Sequence, residues 1–457
     1  MKSCEAASEE SADVSPPTVS FGEALLFWLK LGFVSFGGPA AQIAIMHQEL
    51  VEKRRWISER RFLHALNFCM LLPGPEAQQL ATYIGWLLHR SLGGIVAGAL
   101  FVLPSLSILI ALSWIYVTYG ETPLVAGLFY GVKPAVAAIV VQAAHRIGSR
   151  ALQNRMLWAL AAASLIAVLF FAVPFPAIVL AAGVIGVVAG RLAPGQFTSR
   201  AGHGKPARSY GKALIDDHTP SPAHAVFRWS GLMRVVLAGG VLWLLPMGFL
   251  TAVCGWQHPL PQMAWFFTKA ALLTFGGAYA VLPYVFQGAV VDYGWLTAKQ
   301  MIDGLALGET TPGPLIMVVA FVGFVGAHAK AVFGPDNLFL AGAVAASLVT
   351  WFTFLPSFTF ILAGGPLVES THDDLTFTAP LSAITAAVVG VILNLAAFFA
   401  YHVLWPSGFS GGVDWVAALI AVSAALVLWR WQWSVIRVIV CSAVLGLIVT
   451  TLLPGRS

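Results

Sequence analysis

The feature that most constrains this chain is an internal duplication. Shifted by 239 residues, the second half lies over the first without a gap: Lys30 on Lys269, Phe36-Gly37-Gly38 on Phe275-Gly276-Gly277, Trp56 on Trp295, and Pro73-Gly74-Pro75 on Pro312-Gly313-Pro314. A 13-residue insertion then raises the offset to 252, and Leu103-Pro104-Ser105 meets Leu355-Pro356-Ser357, with Gln142 on Asn394. A fold for this chain must therefore be built from two copies of one unit.

Composition sets the solvent for those copies. Of 457 residues 58% are hydrophobic and 10% charged, against roughly 25% charged in a soluble domain. With about 20 apolar residues needed per crossing, the expected fold is an all-α, polytopic transmembrane bundle of about 11 to 13 segments. The expected order is a disordered tail at 1–20, a first repeat at 21–190, a polar cytoplasmic linker at 191–228, an extra transmembrane helix at 229–252 and a second repeat at 262–453. The tail has no apolar stretch of the kind found in cleaved signal peptides. The excess of 25 Lys and Arg over 20 Asp and Glu lies mostly in short loops, which reports bilayer orientation and not nucleic-acid binding. Cys4, Cys69, Cys254 and Cys441 are too scattered for a metal site or a disulfide framework.

Orientation depends on counting. Pro-Gly-Pro cannot continue a straight helix, so the runs at 62–89 and 301–327 are broken or re-entrant. Six crossings per copy plus the extra helix invert the second copy; five plus one leave the copies parallel. The basic loops at Lys53–Arg61 and His145–Arg155 share a face if the first copy re-enters, which places Arg430 and Arg437 on the outer side, against the positive-inside rule.

Four constellations carry chemistry. Lys30 and Lys269 each precede a Gly-Gly break by a few residues, and a cation repeated at membrane depth suits an anion site, with snorkelling to the interface as the structural alternative. At the breaks, Ser35 with Gly37 and Gly38, and Thr274 with Gly276 and Gly277, offer hydroxyls and close backbone approach to an oxyanion; close helix packing is the alternative reading. Pro73, Gly74 and Pro75, and Pro312, Gly313 and Pro314, free backbone groups that protein, water or substrate must satisfy, and a half-helix beginning there aims its positive end inward. Glu76 and Glu309, at non-equivalent places, are candidates for proton coupling. The charged loop from Val51 to Arg61 reads as a surface segment anchored by Trp56, or as a funnel for anions, and Arg90 is a further candidate anion contact. No catalytic motif or acidic metal cluster is present, so neither an enzyme nor a cofactor is expected.

Phe33-Val34-Ser35-Phe36-Gly37-Gly38-Pro39, Trp56-Ile57 and Pro73-Gly74-Pro75, with their echoes in the second half, resemble the signature of the chromate ion transporter family in its long, duplicated form. The resemblance implies efflux of chromate from the cytoplasm through the inner membrane, driven by the membrane energy gradient and conferring resistance, with sulfate as the close analogue and with oppositely oriented halves. One departure is Gly277-Ala278 where the first copy has Gly38-Pro39. Without the resemblance, the residues support a duplicated, cofactor-free carrier for a small anion, with a channel or another oxyanion carrier as alternatives. Expected partners are chromate or sulfate and the lipid bilayer, with a homodimer as an option and no nucleic acid.

Overall fold

A computed structural model describes residues 18–192, 210–217, 219–220, 222, 224–275, 277–370, 378–406 and 408–452. Most of the expected N-terminal tail, part of the linker and Gly276 lie outside the described residues.

The first unit begins with two hairpins that enter the bilayer and return. Helix α1 (Phe21–Val34) starts at Ser20, whose hydroxyl caps the Glu23 amide, and ends where Gly37 turns to φ 88°. Helix α2 (Gly38–His47) then brings the chain back, through a π-helical turn at Gln48–Lys53, to the level of the α1 start. There Arg54 lies 3.2 Å from Glu23 and over the Phe27 ring. Helix α3 (Glu59–Leu71) enters again from the same face and stops at Pro73-Gly74-Pro75.

Helix α4 (Glu76–Tyr119) is a second return followed by a crossing. Its backbone leaves the helix at His89 and at Arg90, where φ is 55°. The two arms pack antiparallel, and a Cβ on Gly98 would meet the Thr82 hydroxyl at 2.2 Å. Gly94 and Gly98 thus serve close packing. The second arm runs beside α1, with Leu100 O against Gly32, and traverses the bilayer. Helices α5 (Pro123–Ala151), α6 (Arg155–Phe171) and α7 (Phe175–Leu192) complete the unit. Four crossings bring the chain back to its starting face, where the linker docks through an Ile57–Ile215 bridge and an Arg61 bond to Thr219 O.

Helix α8 (Trp229–Cys254) crosses once, with only Met247 and Leu250 buried, as suits a lipid-facing span. The second unit follows from the opposite face: α9 (Pro259–Leu272), α10 (Ala278–Phe286), a π turn at Gln287–Asp292, α11 (Ala298–Thr310), a 3-10 turn at Leu315–Met317, α12 (Val318–Ala329), α13 (Leu338–Ser370), α14 (Thr378–Leu404), α15 (Trp415–Arg430) and α16 (Val435–Leu452). The π turns and α3 with α11 repeat at the sequence offset of 239, residue for residue.

Contacts fix the relative orientation. Trp114, near the end of α4, packs on His328 and Phe339 at the turn between α12 and α13. Glu369, near the end of α13, accepts from Tyr83 and lies 3.8 Å from Arg61, close to the first unit's entry face. The repeat is inverted. Both broken runs of each copy re-enter, so a unit crosses four times, and four plus α8 turn the second copy over. Among the described residues seven helices are long and apolar enough to cross a membrane; with the shorter apolar α6 and α15 as the remaining two crossings, and four hairpins, they account for the thirteen segments.

Two expectations change as a result. Arg430 and Arg437 lie on the same face as Lys53–Arg61 and Arg146–Arg155, because α15 runs back towards that face and α16 starts from it; Gln142 bonds Leu428 O and His145 packs on Trp429. Trp56 does not anchor in lipid. It is buried against Phe27 at 5.1 Å, and Trp295 against Phe266 at 5.6 Å, so both tryptophans lock a returning hairpin onto its entering helix.

Candidate functional site

The four hairpin tips meet in the middle of the fold and are stitched across the repeat. The Gly74 amide donates to Thr274 O at 2.8 Å, and the Gly313 amide donates to Ser35 O at 2.7 Å. Each Pro-Gly-Pro tip is thereby joined to the Phe-Gly-Gly break of the other copy. The sequence dictates this: proline on both sides leaves the glycine as the one amide donor in the tip, and a carbonyl just past a helix end has no intrahelical partner.

The glycines are required by geometry as well as by contact. Gly74 and Gly313 have φ of 130° and 100°, where a side chain is strained. A Cβ on Gly74 would lie 2.3 Å from Ser357 Oγ, and one on Gly313 would lie 2.8 Å from Ser105 Cβ. The serines of the two Leu-Pro-Ser motifs therefore sit at mirror-related places, each against the tip glycine of the other copy.

Polar side chains complete the cluster. Gln42, fully buried, donates to Gly313 O at 2.6 Å and to Ser35 O at 3.3 Å. Gln79 donates to Pro73 O at 2.8 Å. The hydroxyls of Ser35, Ser105 and Ser357 are buried with no hydrogen-bond partner among the described residues, whereas Thr274 donates to Ala270 O. Glu76 heads the first arm of α4, and its Oε1 is 4.0 Å from where Gly277 would carry a Cβ, so it stands between a tip of one copy and a break of the other. Glu309, buried, accepts from Tyr279 at 2.6 Å.

The sequence-derived candidates thus divide. Ser35, Gly37, Gly38, Pro73, Gly74, Pro75, Thr274, Gly277, Pro312, Gly313, Pro314 and Glu76 gather at the tips. The lysines stand apart: Lys30 is exposed on the side of α1 opposite Leu31 and Trp28, and Lys269 Nζ lies over the Trp265 ring at 5.8 Å. The charged loop is largely paired, with Lys53 on Glu49 at 2.6 Å and Arg54 between Phe27 and Trp56. The Lys53 hydrogen bond holds the Glu49 carboxyl below its usual range. Arg90 occupies the exposed bend of α4.

Sequence reasoning missed Gln42, Gln79, Ser105 and Ser357 as members of the cluster. The repeated Leu-Pro-Ser motif was the available signal for the serines. Gln42 gave none, because its counterpart is Val281. It also missed a buried pair on the side of the second unit's entry, where Lys133 Nζ lies 3.3 Å from Asp303 Oδ1 and Tyr116 donates to Asp303 Oδ2 at 2.9 Å.

Inverted repeats with irregular backbone and helix ends converging between them recur in membrane transporters, and the similar proteins are named as transport proteins. The chain is 34% identical over 451 residues to a "Chromate transport protein" of Pseudomonas aeruginosa, covering 97% of this chain and 96% of that one. It is 29% identical over 439 residues to a protein of the same name from Cupriavidus metallidurans, covering 96% and 95%. An "Uncharacterized transporter" of Methanocaldococcus jannaschii is 24% identical over 426 residues, covering 92% of each chain. No solved structure matches. The pattern described as "Chromate transporter" matches residues 22–187 and 261–447, one match in each repeat. The chain belongs to the chromate transporter family.

Proposed function

We propose that this chain exports chromate across the cytoplasmic membrane, with its arginine-rich face and linker in the cytoplasm, and thereby confers resistance. The observation that carries the reading is the reciprocal stitching of the tips, Gly74 to Thr274 and Gly313 to Ser35. It puts backbone breaks from both faces at one place, where an anion can be reached from either side by exchanging those contacts.

The direction follows from charge. In a cell that is negative inside, a dianion leaving the cytoplasm gains about 4.6 kcal/mol per 100 mV, so the membrane potential alone can drive export. The tips, with Ser35, Thr274 and the flanking glycines, form the substrate site. Lys30 and Lys269 lie on the approaches and act at longer range. Glu76 and Glu309 are the proton-handling groups; an ionised Glu76 repels the anion, so its protonation favours loading. Sulfate, a dianion of the same shape, is the alternative cargo.

The test is accumulation of radiolabelled chromate in cells expressing the protein. Accumulation should fall severalfold below that of vector controls, and an uncoupler should erase the difference. Equal accumulation with protein present in the membrane would overturn export, and competition by excess sulfate would identify sulfate as the better cargo.

A further inference from the structure

The Leu-Pro-Ser motifs are the repeated feature not yet given a role. Hydroxyls in apolar helices normally bond back to the carbonyl four residues earlier. Ser107, Ser347, Thr350, Thr353 and Thr359, on the same two helices, all do so. Ser113 does not, and neither do Ser105 and Ser357: these two are wholly buried, and neither Oγ has a partner among the described residues. Each is aimed instead at a tip glycine of the other copy. An unpaired hydroxyl at membrane depth is costly, and having one at each of two mirror-related positions points to a ligand.

Their spacing is informative. The second arm of α4 and α13 pack antiparallel, with Gly98 against Phe358 and Gly94 against Leu362. This register puts Ser357 level with residue 99, six residues from Ser105, or roughly 9 Å along the axis. The two hydroxyls mark two places, one towards each face.

We propose that Ser105 and Ser357 are oxyanion-binding donors at two successive stations, each serine O–H donating to an oxygen of a tetrahedral dianion as it passes from one repeat's tip to the other's. Ser357, Gly74 and Thr274 form the station nearer the arginine-rich face, and Ser105, Gly313 and Ser35 the station beyond it. Recognition at both is by neutral donors, which hold a dianion without trapping it. The inference rests on the proposed transport of an oxyanion and adds the residues that grip it.

The test is Ser105→Ala and Ser357→Ala, measured as concentration-dependent uptake of labelled chromate into inverted membrane vesicles, with Ser113→Ala as control. Ser113 is also buried and has no partner among the described residues, but it lies eight residues further along α4, about 12 Å along the axis from Ser105, and is not among the atoms closest to Gly74 or Gly313. Loss of a hydrogen bond to a charged ligand should raise the half-saturating concentration about tenfold or more at each station, with unchanged thermal stability and an unchanged Ser113→Ala variant. Alanine is smaller than serine, so a role in packing alone predicts wild-type transport and equal or greater stability; that result at both positions would overturn the proposal. The two positions are read independently, so poor expression of one variant leaves the other decisive. If the wild-type protein moves no chromate, it is the transport reading that fails.

Discussion

Gly313→Ala should abolish transport while the protein still reaches the membrane, and Gly74→Ala should do the same. At φ of 100° and 130° a non-glycine residue costs on the order of 1–2 kcal/mol, and overpacking adds about 1–3 kcal/mol. The added methyl would meet the Ser105 Cβ at 2.8 Å in one case and the Ser357 hydroxyl at 2.3 Å in the other. The Ser105 Cβ is fixed to a buried helix and cannot move aside, whereas at Gly74 the Ser357 hydroxyl and the Gln79 amide at 2.6 Å can turn away in part, so Gly313→Ala is the more damaging of the two. The tip must shift, which breaks the amide bond to Ser35 or to Thr274. By contrast Gly38, with a φ of 77° but open space at its Cβ position, should accept alanine with a partial loss. Vesicle uptake of labelled chromate, normalised to protein, checks all three; wild-type rates for both Gly74→Ala and Gly313→Ala would show that the tips are not where the anion passes.

The second large effect concerns stability. Asp303 is 2% exposed, with Lys133 and Tyr116 on its two oxygens. Removing the cation leaves a buried carboxylate whose remaining hydrogen bond among the described residues is from the Tyr116 hydroxyl, and such losses cost about 3–5 kcal/mol. Lys133→Met is expected to destabilise the protein by about that much, whereas Lys133→Met combined with Asp303→Leu should recover most of the loss, because no charge is then left buried. Thermal unfolding of the purified protein in detergent reads both. A Lys133→Met protein as stable as wild type would mean the carboxylate is compensated elsewhere. The pair joins re-entrant helix α11 of one copy to α4 and α5 of the other. Arg61, Glu369 and Tyr83 make a corresponding join near the opposite face, with the charges reversed on the re-entrant helices.

The sequence showed the duplication, the breaks and the extra helix because each leaves a local mark: a repeated motif, a proline or glycine at membrane depth, an unmatched apolar run. The number of crossings left none. An apolar run of about 26 residues looks alike whether it spans the bilayer or turns at a glycine, and it is contacts such as Arg54–Glu23 and Val19–His89 that reveal the return. Once both runs in each copy re-enter, the positive-inside pattern that conflicted at Arg430 and Arg437 becomes consistent. The lysines illustrate a second limit. Five residues along a helix turn a side chain about 140° away, so Lys30, close to Ser35 in the chain, faces away from the packed side. Ser105 and Ser357 lie 30 and 43 residues beyond the tip of their own copy and reach the site only because the other copy's tip comes to them, a contact no single repeat contains.

The most direct test of the central claim, that an anion crosses between two inverted repeats under the membrane potential, is chromate flux in liposomes containing only this protein. With chromate inside and a potassium diffusion potential imposed negative inside, labelled chromate should leave rapidly. Reversing the potential should slow the efflux severalfold, and Gly313→Ala should eliminate it. Flux that ignores the sign of the potential, or that persists in Gly313→Ala, would contradict the account.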